Sequence, residues 1–201
     1  KEYNNLSKLL REPLEKTNKF DISFVNGAKC EISGDISNKY TVKFIDQDNG
    51  KLYHTSDITN NMWTKTNIKY FKNWKVVIQD FSTKEIIHTH HYNPENKKVY
   101  IHFASKALGD TIAWFPFAEE FRKKHKCKLV VSTFHNHFFE EKYPEIEFIK
   151  PATTVYDLYA MYEVGWHYNE DGTINEQRNP TDFKTYSLQS VSAELLGLEM
   201  K

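Results

Sequence analysis

The residues best suited to chemistry lie in one short stretch, Ser-Lys-Ala-Leu-Gly-Asp-Thr at positions 105–111. Asp110 supplies a carboxylate that can accept a proton or hold a hydroxyl group. Lys106 supplies a cation for a phosphate or carboxylate, and Gly109 lets the backbone come close to a ligand. Ser105 and Thr111 would line the same loop. The stretch therefore predicts a ligand-binding loop in which Asp110 is the candidate catalytic residue.

The same stretch has a simpler structural interpretation. An aspartate at the start of a helix commonly caps the free backbone N–H groups, and the pattern by itself favours that role for Asp110. The glycine spacing matches neither the Walker loop nor the Gly-x-Gly-x-x-Gly fingerprint of dinucleotide-binding proteins. The residues alone thus indicate a ligand loop without specifying the ligand.

Strands and helices alternate around this loop, which predicts a Rossmann-like parallel α/β sheet. The expected elements are strands at 98–104, 128–133 and 146–149 and helices at 110–125 and 136–142. Ile112, Phe115, Phe117, Ala118 and Phe121 are expected on the inward face of the first helix. The loop at 105–111 would then lie at the carboxyl edge of the sheet, where open α/β sheets bind ligands. His135 and Asn136 follow the second strand, so they are predicted to bind substrate or donor at the same edge.

The preceding part of the chain has a different pattern. Between residues 20 and 92, short runs alternate between apolar and polar residues, and Asn26-Gly27 and Asn49-Gly50 are strong hairpin signals. This predicts five or six antiparallel strands in a small sandwich or barrel. Helices are expected at 3–16 and 187–196. The predicted domains are an N-terminal helix (1–19), an antiparallel β-domain (20–94) and an α/β lobe (95–201).

Composition excludes several classes of protein. Basic and acidic residues both number 27, so the net charge is zero, which argues against an obligate nucleic-acid binder. No apolar stretch reaches the roughly 18 residues of a membrane span. Two widely separated cysteines argue against a disulfide scaffold or a cysteine-ligated metal, and favour a cytoplasmic protein.

Two further groups of residues leave alternatives open. The histidines at 88, 90, 91, 102, 125, 135 and 137 are more simply packed or exposed side chains than ligands of a metal, and no metal site is predicted. The segment 60–63 and the aromatics Tyr70, Phe71 and Trp74 are either a sugar or peptide platform or part of the core. Trp166, His167 and Tyr168 have the same ambiguity.

The loop and its surroundings resemble a known family. The strand, the Ser-x-x-Leu-Gly-Asp-Thr segment, the helix with Phe115-Pro116 and the following Glu-Glu-Phe-Arg are similar to the opening of the ADP-heptose glycosyltransferases, enzymes of GT-B architecture. The closer resemblance is to the bacterial autotransporter O-heptosyltransferases. It continues through Asn26-Gly27, Phe44-Ile45-Asp46, Asn60-Asn61-Met62-Trp63, Tyr70-Phe71, Trp74, Ser132-Thr133-Phe134, the segment 143–148, Asp157-Leu158-Tyr159, Gly165-Trp166, Pro180, Asp182-Phe183 and Leu188-Gln189.

This resemblance implies a fold, a reaction and partners. The chain would be the N-terminal, acceptor-side half of a GT-B enzyme that transfers heptose from ADP-heptose to serine or threonine of an autotransporter. Asp110 would be the base, or it would position a sugar hydroxyl. Family members add a second Rossmann-like lobe with a cysteine-bound iron finger, neither of which is found in these residues, so no cofactor is expected here. The full-length form is expected to be a homo-oligomer.

The sequence leaves two other functions open. A protein of the same fold can bind a glycan or a bacterial surface protein without turnover. The Gly109-Asp110 pair does not specify which molecule accepts the sugar, so a transferase acting on lipopolysaccharide is a further candidate.

Overall fold

The computed structural model describes residues 17–200, which form eleven strands and two α-helices. The strands are β1 (Lys19–Val25), β2 (Lys29–Ser33), β3 (Lys39–Asp46), β4 (Leu52–Thr59), β5 (Met62–Lys65), β6 (Trp74–Asp80), β7 (Ile86–His91), β8 (Lys98–Phe103), β9 (Lys128–Ser132), β10 (Glu147–Ile149) and β11 (Ala160–Val164). The helices are α1 (Leu108–His125) and α2 (Leu188–Leu195), with 3₁₀ turns at Asn136–Phe138 and Phe183–Thr185. The helix predicted at 3–16 lies outside the described residues.

The antiparallel hairpins follow the turn signals in the sequence. β1 and β2 pair across Asn26-Gly27, and β3 and β4 pair across the turn that contains Asn49-Gly50. Along β3, Tyr40, Val42 and Phe44 are buried in alternation with partly exposed residues, as expected for a strand that covers a core on one face. A four-stranded sheet, β4-β3-β6-β7, faces β1, β2 and β5, since Phe20 packs edge-on against Tyr40 with ring centroids 5.8 Å apart.

The second sheet combines antiparallel and parallel strands in the order β10-β9-β8-β11-β1-β2-β5. From β8 the chain moves outward to β9 and β10, and it then returns to the other side of β8 as β11. The strand order therefore reverses between β8 and β11. At such a switch point the connecting loops diverge and leave a crevice at the carboxyl ends of the strands.

Helix α1 covers the parallel strands. Its buried stripe includes Thr111, Trp114, Phe115, Ala118 and Phe121, which recur at helical spacing. Ile112, predicted to face inward, is instead 56% exposed, because that position lies outside the stripe set by Trp114 and Phe121. Trp114 packs against Phe103 of β8 with ring centroids 5.9 Å apart, and this contact fixes the helix over the strand.

The mixed α/β character expected from the sequence is confirmed, with one change in connectivity. β1 pairs in parallel with β11, so the larger sheet runs across the boundary predicted at residues 94–95. A separate antiparallel sandwich or barrel at 20–94 is therefore too simple a description, because β1, β2 and β5 continue the parallel sheet. The division into domains itself stays a prediction. No helix within residues 17–200 is both long and apolar enough to cross a bilayer.

The end of α2 packs against Phe71, which lies in the segment between β5 and β6, and a substitution can test this contact. Gly197 has φ of +64°, and its N–H donates to the carbonyl of Glu194 in a glycine-terminated helix end. A Cβ at this position would lie 2.0 Å from Cδ1 of Phe71. We therefore expect Gly197→Ala to lower the free energy of unfolding by about 1–3 kcal/mol, measured by urea denaturation.

Gly109→Ala is the matched control for that measurement. Gly109 lies in α1, and nothing stands within 4 Å of a Cβ built there. Alanine should stabilise the helix by about 0.5–1 kcal/mol relative to glycine. Equal stability of the Gly197→Ala variant and the unsubstituted protein would contradict the packing described for Phe71.

Candidate functional site

The candidate site lies where the loops after β8 and β11 meet. Ala104 donates its N–H to the carbonyl of Val164 over 3.0 Å, so the two strands stay paired up to the edge. Beyond this point Gly165 faces Ala104, and a Cβ at Gly165 would lie only 2.8 Å from the Ala104 Cβ. The glycine thus allows both loops to pass close together at the switch point of the sheet.

Asp110 is in the first turn of α1 but does not cap it. The N-cap residue is Ala107, and within residues 17–200 no side chain accepts a capping hydrogen bond there. The carboxylate of Asp110 instead accepts a hydrogen bond from the indole Nε1–H of Trp166 at 3.4 Å, and the side chain is partly exposed. Its charge is favourable near the positive end of the helix dipole. The capping interpretation of Asp110 is therefore wrong, which leaves its carboxylate available to a ligand.

The three residues before and beside Asp110 differ in what they offer. Ser105 Oγ accepts a hydrogen bond from the Ala107 N–H at 3.1 Å and shapes the turn. The Lys106 ammonium is exposed and lies 5.5 Å from the centroid of the Phe134 ring. Gly109 is exposed and borders open space. These positions give the loop one exposed cation and an unobstructed backbone surface at Gly109.

Thr111 and Asn136 support the loops. Thr111 is fully buried, and its hydroxyl donates to the Ala107 carbonyl at 3.2 Å. Both polar atoms of the Asn136 side chain have partners. Its Oδ1 accepts hydrogen bonds from the N–H and the hydroxyl of Thr133, and its Nδ2 donates to the Ile149 carbonyl at 2.7 Å. Both side chains thus use their polar atoms within the protein, and the ligand contacts predicted for them stay predictions.

His135 does connect the two loops. Its Nε2 lies 2.9 Å from the Lys106 carbonyl oxygen, and the side chain is partly exposed. The loop after β9 is thereby tied to the loop after β8, with the Lys106 and His135 side chains on the same edge as Asp110. Of the predicted site residues, the structure therefore brings together Lys106, His135 and Asp110.

A second polar cluster, at the end of β11, was not predicted from the sequence. Glu163 of β11 binds the Arg178 guanidinium at 2.8 Å, and its other oxygen lies 3.8 Å from His167 Nδ1. Burial lowers the pKa of His167, and the Glu163 carboxylate partly opposes that effect. The alternation in 160–164 followed by Gly165 was the available signal that a strand ends here and that its loop belongs to the site.

Trp166 joins the catalytic candidate to the core. Its ring packs against Trp114 and Phe183, with centroid separations of 5.7 and 4.9 Å, while its N–H reaches Asp110. Of the other aromatics left ambiguous by the sequence, Phe71 and Trp74 are core residues, whereas Trp63 is 55% exposed. Trp166 therefore has both a packing role and a polar contact to the site.

Trp166→Phe separates these two roles. Phenylalanine keeps an aromatic ring between Trp114 and Phe183 but cannot donate a hydrogen bond to Asp110. If Asp110 is catalytic, we expect kcat to fall roughly tenfold with KM and melting temperature nearly unchanged, because one hydrogen bond to a charged group is lost. Tyr168→Phe, in the same loop, is the control. A loss confined to stability would show that the indole N–H has no part in the reaction.

The described residues do not fit a metal centre. Residues 17–200 contain no group of three or more histidine, cysteine or acidic side chains arranged to hold a metal ion. Cys30 and Cys127 are buried free thiols, and burial raises their pKa to about 12 and about 11, with the Asp21 and Glu31 charges adding to the effect at Cys30. Protonated, buried thiols are poor metal ligands. Within residues 17–200 the two cysteines are therefore not assigned to a metal.

The sequence of the chain is similar to those of several curated proteins. No protein-family model matches the chain. Autotransporter heptosyltransferase Aah of Escherichia coli is 31% identical over 180 residues, which are 87% of this chain and 44% of Aah. Autotransporter heptosyltransferase BAHTCr of Citrobacter rodentium is 30% identical over 166 residues, 80% of this chain and 39% of that protein. The chain thus spans less than half the length of these curated relatives.

A solved structure shares the fold. TibC from enterotoxigenic E. coli, an iron-containing dodecameric glycosyltransferase, aligns with 90% of this chain and 46% of its own, at a TM-score of 0.78 and 23% identity. TibC in complex with ADP-D-beta-D-heptose aligns with a TM-score of 0.77. This chain therefore has the fold of the aligned part of TibC. The resemblance to the autotransporter heptosyltransferase family, over less than half the length of its members, is confirmed.

Proposed function

We propose that the chain is the acceptor-side lobe of a glycosyltransferase that moves heptose from ADP-heptose to a serine or threonine of an autotransporter. The observation that carries this proposal is the Asp110 carboxylate, which performs no capping and stands at the switch point of the sheet beside Trp166. The names of the relatives and the ADP-heptose complex of TibC support the donor and the acceptor.

The proposed reaction is a direct displacement. An acceptor hydroxyl attacks the anomeric carbon of the heptose while Asp110 takes the hydroxyl proton. The new bond joins the acceptor oxygen to the anomeric carbon, and the bond from that carbon to the phosphate oxygen breaks with its electron pair leaving on ADP. The configuration at the anomeric carbon inverts. In this scheme Lys106, Gly109 and His135 line the space for the substrates, and Ser105, Thr111 and Asn136 hold the loops in place.

Assembly and location belong to the same proposal. TibC is dodecameric, which supports a homo-oligomeric state for the complete protein. The two free thiols are compatible with a reducing bacterial cytoplasm, where we place the reaction.

A second candidate function is a non-catalytic binding module of the same fold. The inactive autotransporter heptosyltransferase BimC of Burkholderia thailandensis is 33% identical over 79 residues, or 38% of this chain, so loss of turnover accompanies this kind of sequence in at least one relative. A lipopolysaccharide acceptor is the alternative within the enzyme class.

The test is a transfer assay with the complete natural protein. It is incubated with ADP-heptose, or with GDP- or UDP-sugars, and with either an unmodified autotransporter passenger or lipopolysaccharide core, and the products are identified by mass spectrometry. We expect heptose on serine or threonine of the passenger, from ADP-heptose only. Transfer from another sugar nucleotide would contradict the donor, and modification of the lipopolysaccharide alone would contradict the acceptor. Binding of the passenger without transfer would favour the binding module.

A further inference from the structure

The two nitrogen atoms of the His135 ring have different roles. Nε2 lies 2.9 Å from the carbonyl oxygen of Lys106. A carbonyl oxygen can only accept a hydrogen bond, so Nε2 carries the proton in this contact. In the neutral ring Nδ1 then has no proton and is a hydrogen-bond acceptor. The contact between the two loops thereby decides which kind of atom His135 presents to a ligand.

The Nδ1 atom of His135 is free and accessible. Within residues 17–200 no group donates a hydrogen bond to it, since the hydrogen bond of the ring is made by Nε2. The atom is not buried, because the side chain is partly exposed and the buried polar atoms that lack partners belong to other residues. An accessible acceptor at the edge that carries Asp110 can receive an O–H or N–H group of a substrate.

The loop that carries His135 is held in place by its own hydrogen bonds. The His135 N–H donates to Thr133 Oγ1 over 2.8 Å. Thr133 is buried, and both its N–H and its hydroxyl donate to Asn136 Oδ1. Asn136 Nδ2 donates in turn to the carbonyl of Ile149 in β10. Together with the bond to Lys106, these contacts fix the backbone and the ring, so little conformational entropy is lost when a ligand binds.

The chemistry of the proposed reaction limits what Nδ1 can bind. The acceptor serine or threonine has one side-chain hydroxyl, and its proton goes to Asp110. The diphosphate of ADP-heptose has only hydrogen-bond acceptors near pH 7, so it suits the Lys106 ammonium and not Nδ1. The adenine is separated from the reacting carbon by the diphosphate. The heptose has several hydroxyl groups on the ring that contains the reacting carbon, so a heptose hydroxyl is the donor that matches Nδ1.

We propose that His135 accepts a hydrogen bond from a heptose hydroxyl at Nδ1, and that the Lys106 carbonyl selects the tautomer that makes this contact. The inference rests on the proposed function and names the substrate that His135 contacts. The hydrogen bond positions the sugar ring relative to Asp110, so that the anomeric carbon faces the attacking hydroxyl. His135 takes no proton in the reaction.

The test measures equilibrium binding of ADP-heptose and of ADP to the complete protein by calorimetry, without an acceptor. The variant is His135→Gln, because glutamine can place an N–H near the position of Nε2 but has no polar atom near that of Nδ1. We expect it to bind ADP-heptose about three- to tenfold more weakly and ADP as tightly as the unsubstituted protein does, since one hydrogen bond to the sugar is lost. The melting temperature should not change, because the contact with Lys106 is kept.

Two controls accompany this measurement. His137→Gln changes an exposed histidine of the same turn and should leave both affinities unchanged. The second control is a set of ADP-heptose analogues, each of which lacks one heptose hydroxyl. One of them should bind equally well to the unsubstituted protein and to His135→Gln, because the contact is then absent from both complexes.

The outcomes separate this inference from the proposed function. Equal affinity of His135→Gln and the unsubstituted protein for ADP-heptose would overturn the inference alone. An equal loss of affinity for ADP, or a change confined to the KM for the acceptor, would overturn the contact with the sugar. ADP-heptose binding that depends on His135, without transfer to the passenger, would overturn the proposed function and leave this inference standing. Absence of ADP-heptose binding would overturn both.

Discussion

Replacing Asp110 with asparagine is expected to reduce the rate of heptose transfer by about 10²–10⁴-fold, the range that general-base catalysis typically contributes. Asparagine keeps an oxygen that can accept the hydrogen bond from Trp166, but it cannot take a proton. Since Asp110 does not cap α1, the substitution should leave the melting temperature close to that of the unsubstituted protein. The measurement is steady-state transfer from ADP-heptose at varied acceptor concentration.

The kinetic parameter that changes distinguishes two roles for Asp110. If the carboxylate is the base, kcat falls and KM for the acceptor stays nearly constant. If it only positions a sugar hydroxyl, asparagine preserves much of the contact and the loss is small and largely in KM. Asp157→Asn is the control, because Asp157 is an exposed residue with φ of +60°, a conformation that asparagine tolerates. A kcat within twofold of that of the control would contradict the role of base.

The second large effect is expected at Gly109. A leucine there would project from the first turn of α1 into space that no protein atom fills within 4 Å of the Cβ position. The fold should tolerate it, because leucine is a better helix former than glycine. If that space belongs to the substrates, transfer should fall by about 10²-fold, since small displacements of reacting groups have effects of this size.

A graded comparison gives this prediction its control. Gly109→Ala adds only a methyl group and should reduce transfer far less than Gly109→Leu, while both variants melt at or above the temperature of the unsubstituted protein. Transfer by Gly109→Leu at the unsubstituted rate would show that substrates do not occupy the space beside Asp110. A lower melting temperature for both variants would contradict the open surroundings of Gly109.

Local signals in the sequence were sufficient to predict much of the fold. The Asn-Gly turns fixed the β1–β2 and β3–β4 hairpins, because few other dipeptides accept the backbone conformation of a tight turn. The 18-residue α1 was also predictable, since it is long and its apolar residues recur at helical spacing. In both cases the information lies within a few residues of the structure that it specifies.

β11 was not predictable in the same way. It has only five residues, and its partners, β8 and β1, are strands distant in the chain. No local turn connects it to either partner, so its place in the sheet depends on tertiary packing. Because the sequence did not predict β11, it also did not place Trp166 beside Asp110 or Glu163 beside His167 and Arg178.

The candidate site itself was predictable in position but not in detail. The sequence predicted that Asp110, Lys106 and His135 lie at the carboxyl edge of the sheet, because they follow parallel strands. The structure has them at that edge. Whether a side chain there faces a ligand depends on its own hydrogen bonds. Thr111 and Asn136 satisfy theirs internally, through contacts that spacing along the chain does not reveal.

The most direct test of whether Asp110 is the base is the rate of the chemical step itself. The complete protein, saturated with labelled ADP-heptose, is mixed with an excess of autotransporter passenger, and the first turnover is followed for the unsubstituted protein and for Asp110→Asn, together with the affinity of each for the donor. We expect Asp110→Asn to retain donor affinity and its first turnover to be slowed by about 10²–10⁴-fold. A first turnover at the unsubstituted rate would contradict the role of Asp110 as the base.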